Sequence, residues 1–356
     1  MFKQNYNVIG VMSGTSLDGV DLAHIHFNYD DKWNYVIQEA ETISYSVDWI
    51  DRLKKAVNFS KEELEQLDND YTELLAQIIT TFITKYAIGN IDAVCSHGHT
   101  ILHMPTLGYT LQIGNLPVLS KLTNQNIVCD FRVQDVKLGG QGAPLVPIGD
   151  KLLFSEFDYC LNLGGFSNIS FDDNGKRIAF DISPVNTVLN FYANKFNLSY
   201  DDKGQMAKSG AFHLELFNEL NDIKFYKQDY PKSLGIEFVN EMIFPLIEAY
   251  KIPTNDKLNT FVEHIAFQIS RIIKKENASL FISGGGVYNT FLIERIQFYL
   301  LNTEIVIPND KVIQFKEALI FAFLGVLKMR NEINALASVT GASEDHSTGV
   351  IFLNNQ

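Results

Sequence analysis

Residues 7–12, NVIGVM, apolar after Asn7, have the length and character of a buried strand. The turn-rich SGTSLDG follows, and VDLAHIHFNYD then alternates apolar with polar positions, as a half-buried strand does. Strand, glycine turn and strand predict a hairpin. Over 60–87, Leu64, Leu67, Tyr71, Leu74, Leu75 and Ile78 keep helical spacing behind Ser60, a candidate N-cap with Glu62 and Glu63 in the first turn. IDAVCSHG predicts a short buried strand that ends in glycine. The Gly- and Pro-rich stretch 129–149, CDFRVQDVKLGGQGAPLVPIG, predicts a loop and an interdomain passage.

The opening pattern then recurs. DYCLNL (158–163) predicts a strand, GGFSN a turn, and the alternation through Ile169 and Phe171 a second strand running into Asp172 and Asp173. Helical patterns follow at 184–195, 207–221, 236–250 and 256–276. LFISGGG (280–286) predicts a strand ending in three glycines before a helix at about 289–301, and 314–332 an apolar helix. A glycine-tipped hairpin near the start of each half predicts a duplicated domain with a cleft between the copies. The division expected is 1–140 with 335–356 for the N-terminal domain and 141–334 for the C-terminal one.

Length agrees: 356 residues, 46% hydrophobic, are more than one ordinary core holds, and 20% charged residues mark a globular chain. The net charge of -13 repels phosphate backbones, so no nucleic-acid partner is expected. Cys95, Cys129 and Cys160 are scattered and odd in number, and read as small buried hydrophobes of a reducing compartment. The chain opens without a signal-like apolar run and holds no stretch of eighteen uninterrupted apolar residues, so a cytoplasmic protein without membrane segments is expected.

Three glycine clusters sit where strands end: Gly14 and Gly19, Gly164 and Gly165, and Gly284, Gly285 and Gly286. Backbone N–H groups approach an anion closely where side chains are absent, and the hydroxyls of Ser13, Thr15 and Ser16 add donors. GTSLDG is no Walker A loop, because Val20 and Asp21 stand where Lys and Ser or Thr are required. No GxGxxG follows a strand, which leaves a dinucleotide fold unsupported. Taken singly, each cluster is equally an ordinary tight turn.

The motifs MSGTSLDGVDLA (12–23), SHGHTILHMP (96–105), LQIGNLPVL (111–119), CDFRVQDVKLGGQGAPLVP (129–147), NLGGFSNI (162–169), FDISPVN (180–186), YDDKGQMAKSG (200–210), PKSLG (231–235), SGGGVYN (283–289) and SVTGA (338–342) occur in one order. Together they resemble the anhydro-N-acetylmuramic acid kinase family, from about residue 7 to 353. The resemblance implies an α/β chain with the duplicated ribonuclease-H-like actin/hexokinase/Hsp70 ATPase fold, two domains around an interdomain cleft. It implies ATP and Mg²⁺ as cofactors and often a homodimer. It also implies conversion of 1,6-anhydro-N-acetylmuramic acid and water to N-acetylmuramic acid 6-phosphate in peptidoglycan recycling. Two segments depart from the family's pattern: Asp181-Ile182-Ser183-Pro184-Val185-Asn186 stands for an Asp followed by Thr-Gly-Pro-Gly-Asn, and Ile236 for an arginine after PKSLG. Apart from the family, many sugar kinases of this fold carry an aspartate two residues before the hairpin's Gly-Thr, where Met12 stands here.

By this resemblance Asp181 is the general base that takes a proton from the attacking water. RIAFD reads as a strand before a helix, which puts Asp181 at a strand end, where α/β sheets bind ligands. Without the resemblance it is equally that helix's N-cap. Gly14, Thr15, Ser16, Leu17, Asp18, Gly19, Val20 and Asp21 would hold the ATP phosphates, with Gly164 and Gly165. Gly284, Gly285, Gly286 and Asn289 would approach the adenosine. No metal ligand is assigned firmly; Asp18 and Asp181 would meet Mg²⁺ through water. On the sugar side, Arg132 would grip the lactyl carboxylate, Asp135 would orient it or bond a hydroxyl, and His97 and Glu317 would line the pocket. Arg132 and Asp135 are equally a structural pair across a turn, and Glu317 a helix-terminal acid. His97, His99 and His103 lack a partner cluster and are not read as a zinc site. Two rivals stand: a kinase of the same fold acting on another amino sugar, and a nucleotide-gated assembly protein.

Overall fold

The structure, a computed structural model, describes residues 3–354. Its strands are β1 (Asn5–Ser13), β2 (Val20–Asp30), β3 (Lys32–Ile43), β4 (Ala93–Met104), β5 (Tyr109–Ile113), β6 (Ile127–Cys129), β7 (Tyr159–Leu163), β8 (Phe166–Asp173), β9 (Lys176–Pro184), β10 (Ser279–Ser283), β11 (Glu304–Val306) and β12 (Val350–Phe352). They form two sheets, β12-β6-β4-β1-β2-β3 with β5 paired to β4, and β11-β10-β7-β8-β9. In the first, β1, β2 and β3 form an antiparallel meander, while β4 and β6 run parallel to β1. In the second, β7, β8 and β9 repeat the meander, while β10 and β11 run parallel to β7. The same order and direction twice over is the duplicated, ribonuclease-H-like fold. The third strand of the second meander, β9, holds the strand read at RIAFD and runs three residues past Asp181 to Pro184, whereas β3 and the returning β12, antiparallel to β6, are additions to what the hydrophobic pattern predicts.

The chain divides into two compact units, one running to Leu153 and resuming at Phe315, the other Phe154–Gln314. These bounds differ from 140/141 and 334/335 because the stretch 129–149 is not one loop. It holds β6 and the short helix Val133–Lys137, and the helix Val146–Leu153 begins inside it. Gly149 of that last helix lies so close to Ile320 that a Cβ would come within 2.7 Å of its Cγ1.

In the first unit, Ile9, Val11, Val20 and Leu22 pack with Leu67, Tyr71, Leu75, Ile79 and Phe82 of the helix Lys61–Lys85. That helix is closed by a reciprocal box: Glu63 N–H donates to Ser60 Oγ (3.2 Å), and Ser60 N–H to Glu63 Oε2 (2.7 Å). The helix Asp310–Met329 approaches β1 so closely that a Cβ on Gly10 would lie 2.0 Å from the Ala318 carbonyl oxygen. In the second unit, Leu161, Leu163, Ile169, Phe180 and Ile182 pack with Leu258, Phe261, Val262, Ile265 and Ile269 of the helix Thr254–Ile272. The helix expected over 207–221 is two, Gln205–Ser209 and Leu214–Asp222. Gly210 interrupts it in extended geometry, against the Asn255 carbonyl. All three cysteines are buried, and none forms a disulfide.

Candidate active site

In the first unit the β1–β2 turn is held from below. Ser13 Oγ lies 2.6 Å from Tyr45 Oη and 2.7 Å from His99 Nδ1, and Tyr45 Oη lies 2.6 Å from Tyr71 Oη. Burial brings the His99 pKa down to about 4, so this chain works through a neutral imidazole. Above it, Leu17 N–H donates to the Gly14 carbonyl (3.3 Å) with Leu17 at φ 63°. Gly19 must be glycine, since a Cβ would meet the Ile43 carbonyl oxygen at 2.3 Å. Thr15, Ser16 and Asp18 are exposed, Gly14 and Leu17 half-buried, and Val20 buried. Asp21 accepts the Thr42 hydroxyl (2.6 Å); burial raises its pKa, and the Asp18 charge adds to the rise. A carboxyl at Asp21 beside the acidic Asp18 suits a cation held through water and nucleotide oxygens. Among the described residues no cluster of three ligating side chains stands ready for a metal, and His97 and His99 are otherwise engaged.

His97 and His99 lie inside β4, which continues past Gly98 to Met104 rather than ending there. His97 Nδ1–H donates to the Gly98 carbonyl (2.9 Å), and its Nε2 accepts from Arg132 Nε–H (2.8 Å). Arg132 Nη1 donates to the Gly142 carbonyl (2.6 Å). Among the described residues Nη2 and the second Nη1 hydrogen have no partner, which leaves a two-pronged donor of the kind that grips a carboxylate. Burial lowers the Arg132 pKa only to about 10, with Glu317 and then Asp135 opposing the drop, so the guanidinium stays charged. Glu317 is exposed as a residue, yet protein packed around its carboxyl raises its pKa; Arg132 pulls it down, and Asp21 pushes it up. It does not begin its helix, which starts at Asp310, but follows a break at Phe315 (φ -114°, ψ 18°).

Asp135 departs from expectation. It has no exposed surface. Its Oδ1 accepts the Thr340 hydroxyl (2.7 Å) and its Oδ2 the Gly142 N–H (2.7 Å), while His346 Nε2 lies 3.5 Å away. It ties the loop after Arg132 to the C-terminal segment and has no oxygen to spare for a sugar hydroxyl. Gly142 is thus gripped twice, its N–H by Asp135 and its carbonyl by Arg132.

In the second unit the strand register sets four polar residues in one row. Ser283 of β10 pairs Asn162 of β7, which pairs Asn168 of β8, which pairs Asp181 of β9. Directly paired residues share a face, so the row lies opposite the apolar core formed by Leu161, Ile169 and Phe180. Asp181 is half-buried, and its Oδ2 accepts the Leu234 N–H (2.8 Å). Burial raises its pKa, and that amide holds the rise in check. It is no helix cap, because the next helix starts at Asn186 behind Val185.

The glycine clusters divide by role. Gly164 spends its N–H on the Phe166 carbonyl (3.1 Å), and its own carbonyl accepts Asn186 N–H (3.2 Å). The Gly165 carbonyl accepts N–H from Val185 (2.8 Å) and Thr187 (3.2 Å), so this hairpin tip caps the helix Asn186–Asn194. Gly284, at φ 84°, would put a Cβ 2.5 Å from Asn162 Oδ1, and Gly286 one 2.6 Å from Leu163 Cβ. Gly285 alone of the three faces open space. Asn289 is buried, and its Oδ1 caps the helix Thr290–Tyr299 at Leu292 N–H (2.9 Å). The tie from Leu234 to Asp181 had no signal in the sequence, since fifty-three positions separate the two.

The chain matches the family described as anhydro-N-acetylmuramic acid kinase over residues 6–354. A protein of that name from Shewanella loihica is 33% identical over 374 aligned positions, covering 100% of both chains. One from Mannheimia succiniciproducens is 33% identical, covering 99% of this chain and 100% of its own. Among solved structures, component A of the (R)-2-hydroxyglutaryl-CoA dehydratase of Acidaminococcus fermentans is a distant likeness. Its TM-score is 0.41 at 11% identity, covering 89% of this chain and 96% of its own.

Proposed function

From the premise that the chain belongs to the anhydro-N-acetylmuramic acid kinase family, we propose that it opens 1,6-anhydro-N-acetylmuramic acid with water and phosphorylates it at O6 from ATP, with Asp181 as the general base. The chain is a kinase acting on that sugar in cell-wall recycling. Water attacks the anomeric carbon, Asp181 takes its proton, and the C1–O6 bond breaks with its electron pair on O6. O6 then attacks the γ-phosphorus, and ADP leaves. Phosphoryl transfer asks mainly for positioning and charge neutralisation. Thr15, Ser16 and the loop around Gly14 meet the phosphates, and Gly285 lets the nucleotide approach. Asp18 and Asp21 would hold Mg²⁺ through water, and the ion would neutralise phosphate charge. Arg132 grips the lactyl carboxylate, His97 fixes Arg132, and Glu317 bonds a sugar hydroxyl.

One observation carries the choice of base. Asp181 has one oxygen fixed by the Leu234 amide, the other without a partner among the described residues, and a half-buried setting that strengthens it as a base. The departures at 183 and 185 leave the anhydro-sugar reading in place. Ser183 and Val185 are fully buried, Ser183 against Ser167 (Oγ to Oγ 3.0 Å), so they alter packing and not the polar row. A cytoplasmic homodimer fits the family; no helix among the described residues is long and apolar enough to cross a membrane.

The test is ADP release with 1,6-anhydro-N-acetylmuramic acid, N-acetylmuramic acid or N-acetylglucosamine, repeated with Asp181→Asn. Release with the anhydro sugar, and a loss of about 10²- to 10⁴-fold in kcat with nucleotide affinity kept, is expected. Turnover indifferent to every sugar would return the chain to the assembly proteins.

A further inference from the structure

Lys232 belongs to the segment that borders β9, and its surroundings are unusual for a lysine. Its ammonium donates to the carbonyls of Gln228 (3.1 Å) and Phe225 (3.4 Å). It also sits 4.8 Å from the Phe225 ring centre and 5.7 Å from that of Phe180. Among the described residues it has no carboxylate partner; the charges that bear on it are Arg271 and Asp229.

This anchorage leads directly to the base. The Lys232 carbonyl accepts the Asp181 N–H (3.1 Å), and two residues on, Leu234 N–H donates to Asp181 Oδ2 (2.8 Å). The segment thus lies along the outer edge of β9, where no further strand of its sheet pairs, and brackets one residue from both its backbone and its side chain. Its other side-chain ties are at Tyr230, stacked on Phe180 (5.5 Å, 14°) with its hydroxyl donating to Asp173 Oδ2 (2.8 Å). Among the described residues, Lys232 ties the bracketing residues back to the turn Lys224–Lys227 and the residue after it.

We propose that Lys232 is a positioning residue for Asp181: by binding the Phe225 and Gln228 carbonyls it fixes the 232–234 backbone that aims the carboxylate. The proposal rests on Asp181 being the base. Lys232 touches neither sugar nor nucleotide in this role. Loss of the ammonium frees two carbonyls and loosens the segment. Leu234 N–H then no longer sits on Oδ2, and the freed carboxylate wanders from the line of attack. A displacement of about 1 Å in such a group costs about 10²-fold in rate.

The experiment compares Lys232→Met, which keeps the aliphatic stem, with Lys232→Arg and Asp181→Asn in the full chain. Lys232→Met is expected to lower kcat about 10- to 100-fold, leave the KM for ATP within about twofold, and move the acid limb of the pH–rate profile to higher pH. The limb moves because Asp181 loses the donor that favours its ionised form. Lys232→Arg, still cationic and able to reach two carbonyls, restores most of the rate. Should Lys232→Met not fold, Lys232→Gln, uncharged but with its amide N–H donors, is read by the same limb. Unchanged kcat, or lowered kcat with an unmoved limb, overturns the proposal. If Asp181→Asn itself turns over normally, the base assignment has failed, a result distinct from a silent Lys232 beside an essential Asp181.

Discussion

Arg132 Nε–H donates to His97 Nε2 across 2.8 Å, and this fixes the state of the imidazole. A guanidinium donates only, so Nε2 must be bare and the ring's proton must sit on Nδ1, where it bonds the Gly98 carbonyl at 2.9 Å. Burial, and then the Arg132 charge, hold the His97 pKa well below 6.5. His97 is therefore a fixed acceptor that aims Arg132, and it takes no part in proton transfer.

Arg132→Lys should weaken binding of the acidic sugar while sparing the nucleotide. The ammonium cannot bond His97, the Gly142 carbonyl and a carboxylate in the planar fork that Arg132 uses. We expect KM for the sugar to rise about tenfold or more, with KM for ATP within about twofold, in steady-state assays.

The acid limb of activity should lie above the usual carboxylate range. Burial raises the Asp181 pKa from 3.8, and a base works only when deprotonated, so the rate climbs as pH rises through the raised value. A pH–kcat profile on the wild-type chain reads this. A rate flat down to pH about 4 would place the limb at an unshifted carboxyl.

Stability should fall on the acid side of neutrality. His97 and His99 are held neutral by burial, as is His264, brought down to about 3, whose Nδ1 lies 2.7 Å from Asn221 Oδ1. Their folded pKa values lie below the unfolded 6.5, so the contribution is full above about pH 6.5 and is lost as pH drops below it. At pH 5 each costs up to about 2 kcal/mol. The urea midpoint should fall between pH 7.5 and 5, and His264→Gln should shrink that fall.

Gly10→Ala should destabilise the first unit by about 3 kcal/mol. The added methyl would meet a backbone carbonyl, Ala318 O, at 2.0 Å, and a backbone atom cannot swing aside as a side chain can. Thermal melting of the purified variant measures it.

Local signals carried much of this molecule into view. Ser60 with Glu63 announces the long helix, and the glycine-tipped hairpins announce the two meanders, because turn and cap chemistry is written within a few residues. Asp181 was readable as a carboxylate on a strand, though β9 carries on three residues past it to Pro184. Its confinement was not, since Lys232 and Leu234 reach it through backbone groups that any residue carries. Asp135 misled for a related reason. An acid three residues from an arginine looks like a partner for it, yet Thr340 and Gly142 claim both oxygens from distant positions. Gly164, Gly284 and Gly286 look like anion-facing glycines, but one is spent in its own turn and two are demanded by contact with β7.

The pairing of β12 with β6 carries a cost in time. Val350 meets Cys129 across more than two hundred residues, and the whole second unit is threaded between them. On the ribosome, Phe154–Gln314 emerges as one unbroken stretch and can condense on its own. The amino-terminal half must wait unfinished, its β6 edge bare, until the last segment is synthesised. Nascent chains stalled before residue 350 should therefore be the aggregation-prone species, and the interval in which a chaperone has most to protect.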